Sequence, residues 1–288
     1  RGWYDVHLRL SPRFGVAGAV LAVLWMTQPL RADEAAWKSA HDAGWAAFEK
    51  GQLAEAEASL TVAAKELRAF PPDDPRVALT LDHLAWAYLA QGKFDLAEPL
   101  AKFALGARET KSGTESHESA QSVNTLACLY DAQGRFADAE PLYRRGLAIE
   151  EKTRGADHPN VAAFLDNLAT VCHAQRKDTE AEAAYRRAIA VREKAPEKDR
   201  ANLVPTLLNL ATLYLDRGEP TKAEPVLLRA LAIREGAFGP KHRAVVECLE
   251  SLAKAAKALG KHDEARAYSD RALAILDEHA RATTSSGI

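Results

Sequence analysis

The sequence predicts an all-α fold, a solenoid of stacked two-helix units, on three observations. A leucine–alanine pair recurs every 42 residues, at Leu84-Ala85, Leu126-Ala127, Leu168-Ala169, Leu210-Ala211 and Leu252-Ala253. Thirteen positions after each leucine comes another alanine: Ala97, Ala139, Ala181, Ala223 and Ala265. Between the two lies a turn signal at the same spacing, Gly92, Gly134, Gly218 and Gly260, with Arg176 in the fourth slot. A strict period of this length marks identical units that stack and bury a shared core.

Each block reads as two helices. In the third, Val123, Leu126, Ala127 and Tyr130 form an apolar stripe at helical spacing over Ser119–Gln133. Gly134 ends that helix, and a second runs from Phe136 to about Thr153, with Ala139, Leu142, Tyr143, Leu147 and Ile149 inward. The link Arg154–Pro159 follows, in which Asp157 is expected to cap the next helix and Pro159 to occupy its first turn. Asp74-Pro75 has the same role before the second block. Pro99, Pro141 and Pro225 share one register, and place the starts of their helices just before Asp95, Asp138 and Thr221.

These blocks resemble the tetratricopeptide repeat, whose pattern is met by Leu126, Ala127, Tyr130, Ala139 and Tyr143, and again by Leu210, Ala211, Tyr214, Ala223, Leu227 and Ala230. The 42-residue length and the run from Gly134 to Ala162 are similar to the kinesin-light-chain type. The resemblance implies a right-handed α-solenoid of about six repeats over residues 36–280. Their bounds are about 36–76, 77–118, 119–160, 161–202, 203–244 and 245–280. The first repeat is atypical, with Gly44 and Ala56 one residue out of period. So is the sixth, where Ala256 and Ser269 replace aromatic residues. Residues 281–288 are expected to be a disordered tail.

Residues 1–32 fall outside the period. Arg9 and Arg13 precede an apolar run over residues 14–26, and a short polar stretch ends at Ala32. This is the layout of a secretory signal, too short for a typical membrane span of roughly 20 residues. The chain is therefore expected to be exported, to the periplasm or beyond. The alternative is a membrane anchor formed by residues 14–26.

Composition narrows the function. A formal charge of −2, spread along the chain, gives no reason to expect a nucleic-acid partner. Cys128, Cys172 and Cys248 match no metal spacing and are expected as free thiols buried within helices. The nine histidines form no metal motif, and His117, His158 and His242 lie in the links between repeats, where a link role, capping or turn packing, is expected. Ser251-Leu-Ala-Lys254, Ser122-Val-Asn124 and Lys111-Ser-Gly113 imitate the boxes of penicillin-binding enzymes. Their order is reversed, and the last has no strand to carry it. The pairs Arg144-Arg145 and Arg186-Arg187 are read as a solvated face of i,i+4 ion pairs with interleaved glutamates. No catalytic residue, cofactor, metal or small-molecule substrate is expected.

What remains is a binding role. In the resembling fold the first helix of each repeat lines the concave face. The candidate groove residues are Trp45, Trp86, Asn124, Asp131, Asp166, Asn167, Thr170, His173, Asn209 and Thr212. They lie mainly two before, two after and five after the repeat leucine, a set that also includes Asp82, Leu89, Cys128, Leu208 and Leu215. Aromatic anchors dominate many interfaces, and asparagine amides can hold a peptide backbone of any sequence. The expected function is a non-catalytic scaffold for a protein or peptide segment. The competing reading is an assembly module that self-associates by stacking its terminal repeats. The tryptophans could alternatively pack on one another between repeats.

Overall fold

A computed structural model describes residues 33–194 and 202–285. The expected signal and anchor, residues 1–32, lie outside the described residues, as do 286–288 of the expected tail. Among the described residues there are twelve α-helices and no strand. They run in pairs: α1 Glu34–Glu49 and α2 Leu53–Glu66; α3 Pro75–Ala90 and α4 Phe94–Ser112; α5 His117–Ala132 and α6 Phe136–Arg154. The remaining pairs are α7 Pro159–Ala174 and α8 Asp178–Glu193; α9 Val204–Asp216 and α10 Pro220–Phe238; α11 Val246–Ala258 and α12 His262–Ser285. The chain divides into two compact units at Ile149/Glu150, within α6. In a repeat stack each unit touches only its neighbours, so a single central core is not required.

The six turns inside the hairpins share one geometry. Lys93 N–H donates to Tyr88 O at 2.9 Å and Gly92 N–H to Leu89 O at 2.9 Å, which satisfies the last carbonyls of α3. The same pair of bonds recurs at Gly51, Gly134, Arg176, Gly218 and Gly260. The turn residue has φ between 62° and 75° in all of them. Arg176 is the one side chain forced into this left-handed region, which L-residues avoid.

Helix starts follow a second 42-residue rule. Asp74, Ser116, His158 and His242 occupy equivalent link positions, and each side chain accepts from the backbone N–H two or three residues on. Contrary to the sequence expectation, Asp157 does not cap α7. His158 Nδ1 does, accepting from Asn160 N–H at 3.1 Å. Asp157 instead pairs with Lys194 at 2.5 Å. His117 is the first residue of α5 and is itself capped by Ser116. The prolines lie six residues into α4, α6 and α10.

Packing obeys the repeat. Leu84, Leu126, Leu168, Leu210 and Leu252 are all buried, and so are Ala97, Ala139, Ala181 and Ala223. In the first repeat Gly44 takes the place of the paired alanine. A Cβ there would lie 2.7 Å from Leu60 Cγ and 3.0 Å from Leu60 N, so α1 and α2 approach closely only because Gly44 has none. Helix α12 continues to Ser285, past residue 281 where the sequence suggested that order would end.

Candidate binding face of the first helices

The first helices each turn a face to solvent, and in the second unit its most exposed row differs in part from the expected register. In the second unit the partly or fully exposed row comprises Asn167 and Thr170 on α7, Asn209, Thr212 and Asp216 on α9, and Ser251 and Lys254 on α11. These lie one before, two after and six after the repeat leucine. The position two before it is exposed at Glu250 in the sixth repeat but points inward in the second, fourth and fifth. There Asp82 and Leu208 are buried, and the Asp166 side chain is only 16% exposed.

These aspartates tie repeats together. In the first unit Asp82 pairs with Arg108 of α4 at 3.0 Å, and Ser122 of α5 donates to the same carboxylate at 2.7 Å. In the second unit Asp166 pairs with Arg192 of α8, and Thr206 of α9 donates at 3.1 Å. Burial pushes Asp82 up to about 6, against the opposing pull of Arg108 and its hydroxyl partners. Burial likewise raises Asp166, opposed by Arg192. Asp166 is therefore held as an interhelical strut. The triads Asp82/Arg108/Ser122 and Asp166/Arg192/Thr206 are displaced by 84 residues, two periods, so the strut is written into the sequence as a polar repeat beneath the apolar one.

The remaining candidates divide by unit. In the first, Trp45 is half-buried and stacks on His83 of the next repeat, ring centroids 3.8 Å apart, and on Phe48 at 5.1 Å. Its cross-repeat partner is thus His83. The stack continues from His83 to His41 at 4.9 Å and to Trp37 at 5.2 Å. Trp37 Nε1 donates to Thr80 at 3.0 Å. His83 is pushed down to about 3, chiefly by burial and then by His41 and Arg108. No sequence motif marks either histidine for this role.

Trp86 is partly exposed on α3, as is Leu89 one turn on. Asn124 is half-buried and hydrogen-bonded or otherwise engaged. Asp131 is raised by burial, with a hydrogen bond from Tyr143 in opposition. The same hydroxyl lies 3.3 Å from Cys128 Sγ, so its single proton is shared between the two acceptors. Cys128 is partly exposed as a residue, while Cys172 and Cys248 are buried; all three are thiols rather than disulfide-bonded. Burial drives the Cys128 and Cys248 thiols up to about 11, so neither is a ready nucleophile.

In the second unit His173 bridges two helices, Nδ1 lying 3.1 Å from Asp178 and Nε2 3.0 Å from Asp216. Thr170 donates to Asp166 O and lies 3.0 Å from the Tyr185 hydroxyl. Asn167 is partly exposed and engaged. Asn209 and Thr212 are exposed, the latter donating to Leu208 O at 3.0 Å. Asn209, Thr212 and Thr170 thus lie on the exposed row of the second unit, and Trp86 is partly exposed in the first. Asp166 lies inside, and His173 is held between two carboxylates.

The second helices carry pairings that sequence spacing assigns only to local partners. Arg144 and Arg186 do pair locally, with Glu140 and Glu182. Arg145 instead reaches Glu109 of the preceding repeat at 2.5 Å. Arg187 pairs with Glu151, Arg229 with Glu193 at 2.6 Å, and Arg271 with Glu235. Every rung joins residues 36 apart, and the rungs repeat every 42.

Helical hairpins that share one turn, one cap position and one inter-repeat rung define an α-helical repeat protein. The tetratricopeptide repeat model matches residues 78–152, 118–194 and 203–278, and the chain belongs to that family. Among solved structures it is similar to BtubC (BKLC) from P. vanneervenii, at 28% identity and a TM-score of 0.70, covering 79% of this chain and 92% of that one. It is also similar to the nearly identical TPR-like repeats of a kinesin-light-chain protein of Podosopora anserina, at 24% identity and a TM-score of 0.65, covering 74% and 99%. A Rap protein complexed with Competence and Sporulation Factor shares the fold at 17% identity and a TM-score of 0.61, covering 88% and 78%. No curated protein matches the sequence.

Proposed function

We propose that the chain is a non-catalytic scaffold that binds a peptide or protein segment on the exposed face of its first helices. The observation that carries this is the composition of that face in each unit taken by itself. The first unit offers Trp86 and Leu89, partly exposed and apolar. The second offers Asn209, Thr212 and Thr170, short polar groups at helical spacing. An aromatic side chain in contact with solvent supplies an anchor, and amides and hydroxyls hold an extended backbone without reading its sequence. The Rap complex with Competence and Sporulation Factor is a precedent for the fold and supports the reading by analogy.

The test is selection of peptides from a displayed random library on the full chain. Trp86→Ala should weaken the best selected peptide by ~2 kcal/mol or more with helicity unchanged. Loss of the N-terminal fold in Trp86→Ala would make this tryptophan core instead. Unchanged affinity in both Trp86→Ala and Asn209→Ala would remove the face from consideration.

We also infer export, from the basic and apolar pattern of residues 1–32. A mature N-terminus near Asp33 in envelope fractions supports it; the intact chain in the cytosolic fraction counts against it. No described helix is long and apolar enough to cross a membrane. End-to-end stacking of the terminal repeats is the alternative reading, with concentration-dependent size as its signature.

A further inference from the structure

On the second helix of each inner repeat, an apolar residue and an acid four positions later form a fixed pair. In the second unit these are Ile189 with Glu193 and Leu231 with Glu235. Both apolar residues are buried, Leu231 to 7% exposure. Both acids are bound by an arginine from the next repeat, Arg229 and Arg271. Arg271 donates in addition to Pro240 O at 2.8 Å, as Arg145 does to Thr114 O at 2.9 Å in the first unit. The same pair recurs in the sixth repeat as Leu273 and Asp277. There Leu273 is 59% exposed, the most exposed large apolar side chain among the described residues. Asp277 is exposed and has no ion-pair partner among them.

We propose that the outer face of α12, centred on Leu273 and Asp277, is a docking surface for an amphipathic helix of another protein that presents an arginine to Asp277. The four inner rungs show the geometry by which this chain satisfies such a surface. Charge also sets the partner apart from a second copy of the chain. In the first repeat, allowing for its one-residue offset, the arginine slot holds Val62, which is 48% exposed. Head-to-tail stacking would leave Asp277 against Val62, an acid desolvated without a cation. A second ladder agrees. Arg135 pairs with Glu98 at 3.2 Å in the first unit, and Lys261 with Glu224 at 2.6 Å in the second, each pair 37 residues apart. The sixth repeat has Arg266 in the glutamate position, and the first has Gln52 in the cation position, so that contact is also unpaired in a head-to-tail dimer.

The test uses the full chain and a hydrocarbon-stapled helix of residues 262–281, which carries Arg271, as the probe. Fluorescence anisotropy should show saturable binding, weakened roughly tenfold or more by Asp277→Lys. Binding to the Asp277→Lys chain should return when the probe carries Arg271→Glu. Leu273→Ser should weaken both pairings. Both substitutions are at exposed positions, and circular dichroism is the check that the variants fold. Trp86→Ala should leave this binding unchanged, which separates it from the proposed peptide face. Absence of probe binding, or binding indifferent to Asp277→Lys and Leu273→Ser, overturns the proposal. So does a wild-type chain that dimerises through this face and becomes monomeric in Asp277→Lys, since the occupant is then a second copy.

Discussion

Arg108 meets Asp82 at 3.0 Å between the two helices of the second repeat, and their side chains are only 10% and 5% exposed. The guanidinium also donates to Glu118 O at 2.8 Å and to the Gln121 side chain at 3.0 Å, so one residue joins α3, α4 and the start of α5. Breaking a buried pair from one side leaves the other charge uncompensated. Arg108→Ala should therefore destabilise by ~3–5 kcal/mol, whereas replacing both residues by apolar groups of similar volume should cost far less. Urea denaturation of the single and double variants measures the difference; equal losses would show that packing alone accounts for the effect.

Asp82 and its chain neighbour His83 give opposite pH dependence. Burial lowers His83 to about 3 from 6.5, so the folded chain binds fewer protons there between those values. Its stabilising contribution is present above pH 6.5 and is lost as pH falls through that window. Asp82 is raised to about 6 from 3.8, so its contribution is present below 3.8 and is lost as pH rises through 6. His83→Phe should therefore gain on the wild type as pH is lowered from 7 to 4. Asp82→Asn should gain on it as pH is raised over the same range. Melting temperatures at several pH values test both; variant curves parallel to the wild type would exclude the two groups as the source.

Arg176 stands in a slot where Gly92, Gly134, Gly218 and Gly260 stand, with φ at 62°. An L-residue in that region costs ~1–2 kcal/mol, partly offset because glycine is more flexible in the unfolded chain. Arg176→Gly should stabilise by about 0.5–1 kcal/mol. A lower melting temperature in this variant would contradict the strain.

The link before α7 offers a test of the caps. His158→Ala should cost ~1 kcal/mol and His158→Ser should recover most of it, since serine caps as well. Asp157→Ala removes only a solvent-exposed pair and should change stability by less than ~1 kcal/mol. Thermal melts of the three variants rank the residues; a larger loss for Asp157→Ala would return the cap to the aspartate.

Repeat periodicity made the fold legible because burial is itself periodic here. A leucine every 42 residues is buried by the same neighbours each time, so hydrophobic pattern, turn and helix bounds could be read from one line of sequence. The candidate face was only partly legible. Trp86, Thr170, Asn209 and Thr212 fall where solvent reaches them, but Asp166 lies one position around the helix, where Arg192 and Thr206 hold it. A helical residue rotates about 100° from its neighbour, so a one-position error in register turns a surface carboxylate into a strut.

The repeat, the two helices in each block and the glycine turns between them can be read from the chain alone, since these depend on local backbone preference and on which side chains leave water. Which residues meet between helices is a matter of packing. The pairing of Arg145 with Glu109, the stack of Trp45 on His83 and the capture of Asp82 by Arg108 each join residues 26 to 38 positions apart. Such contacts are set by how far one helix is displaced and turned against the next, and no local preference carries that information.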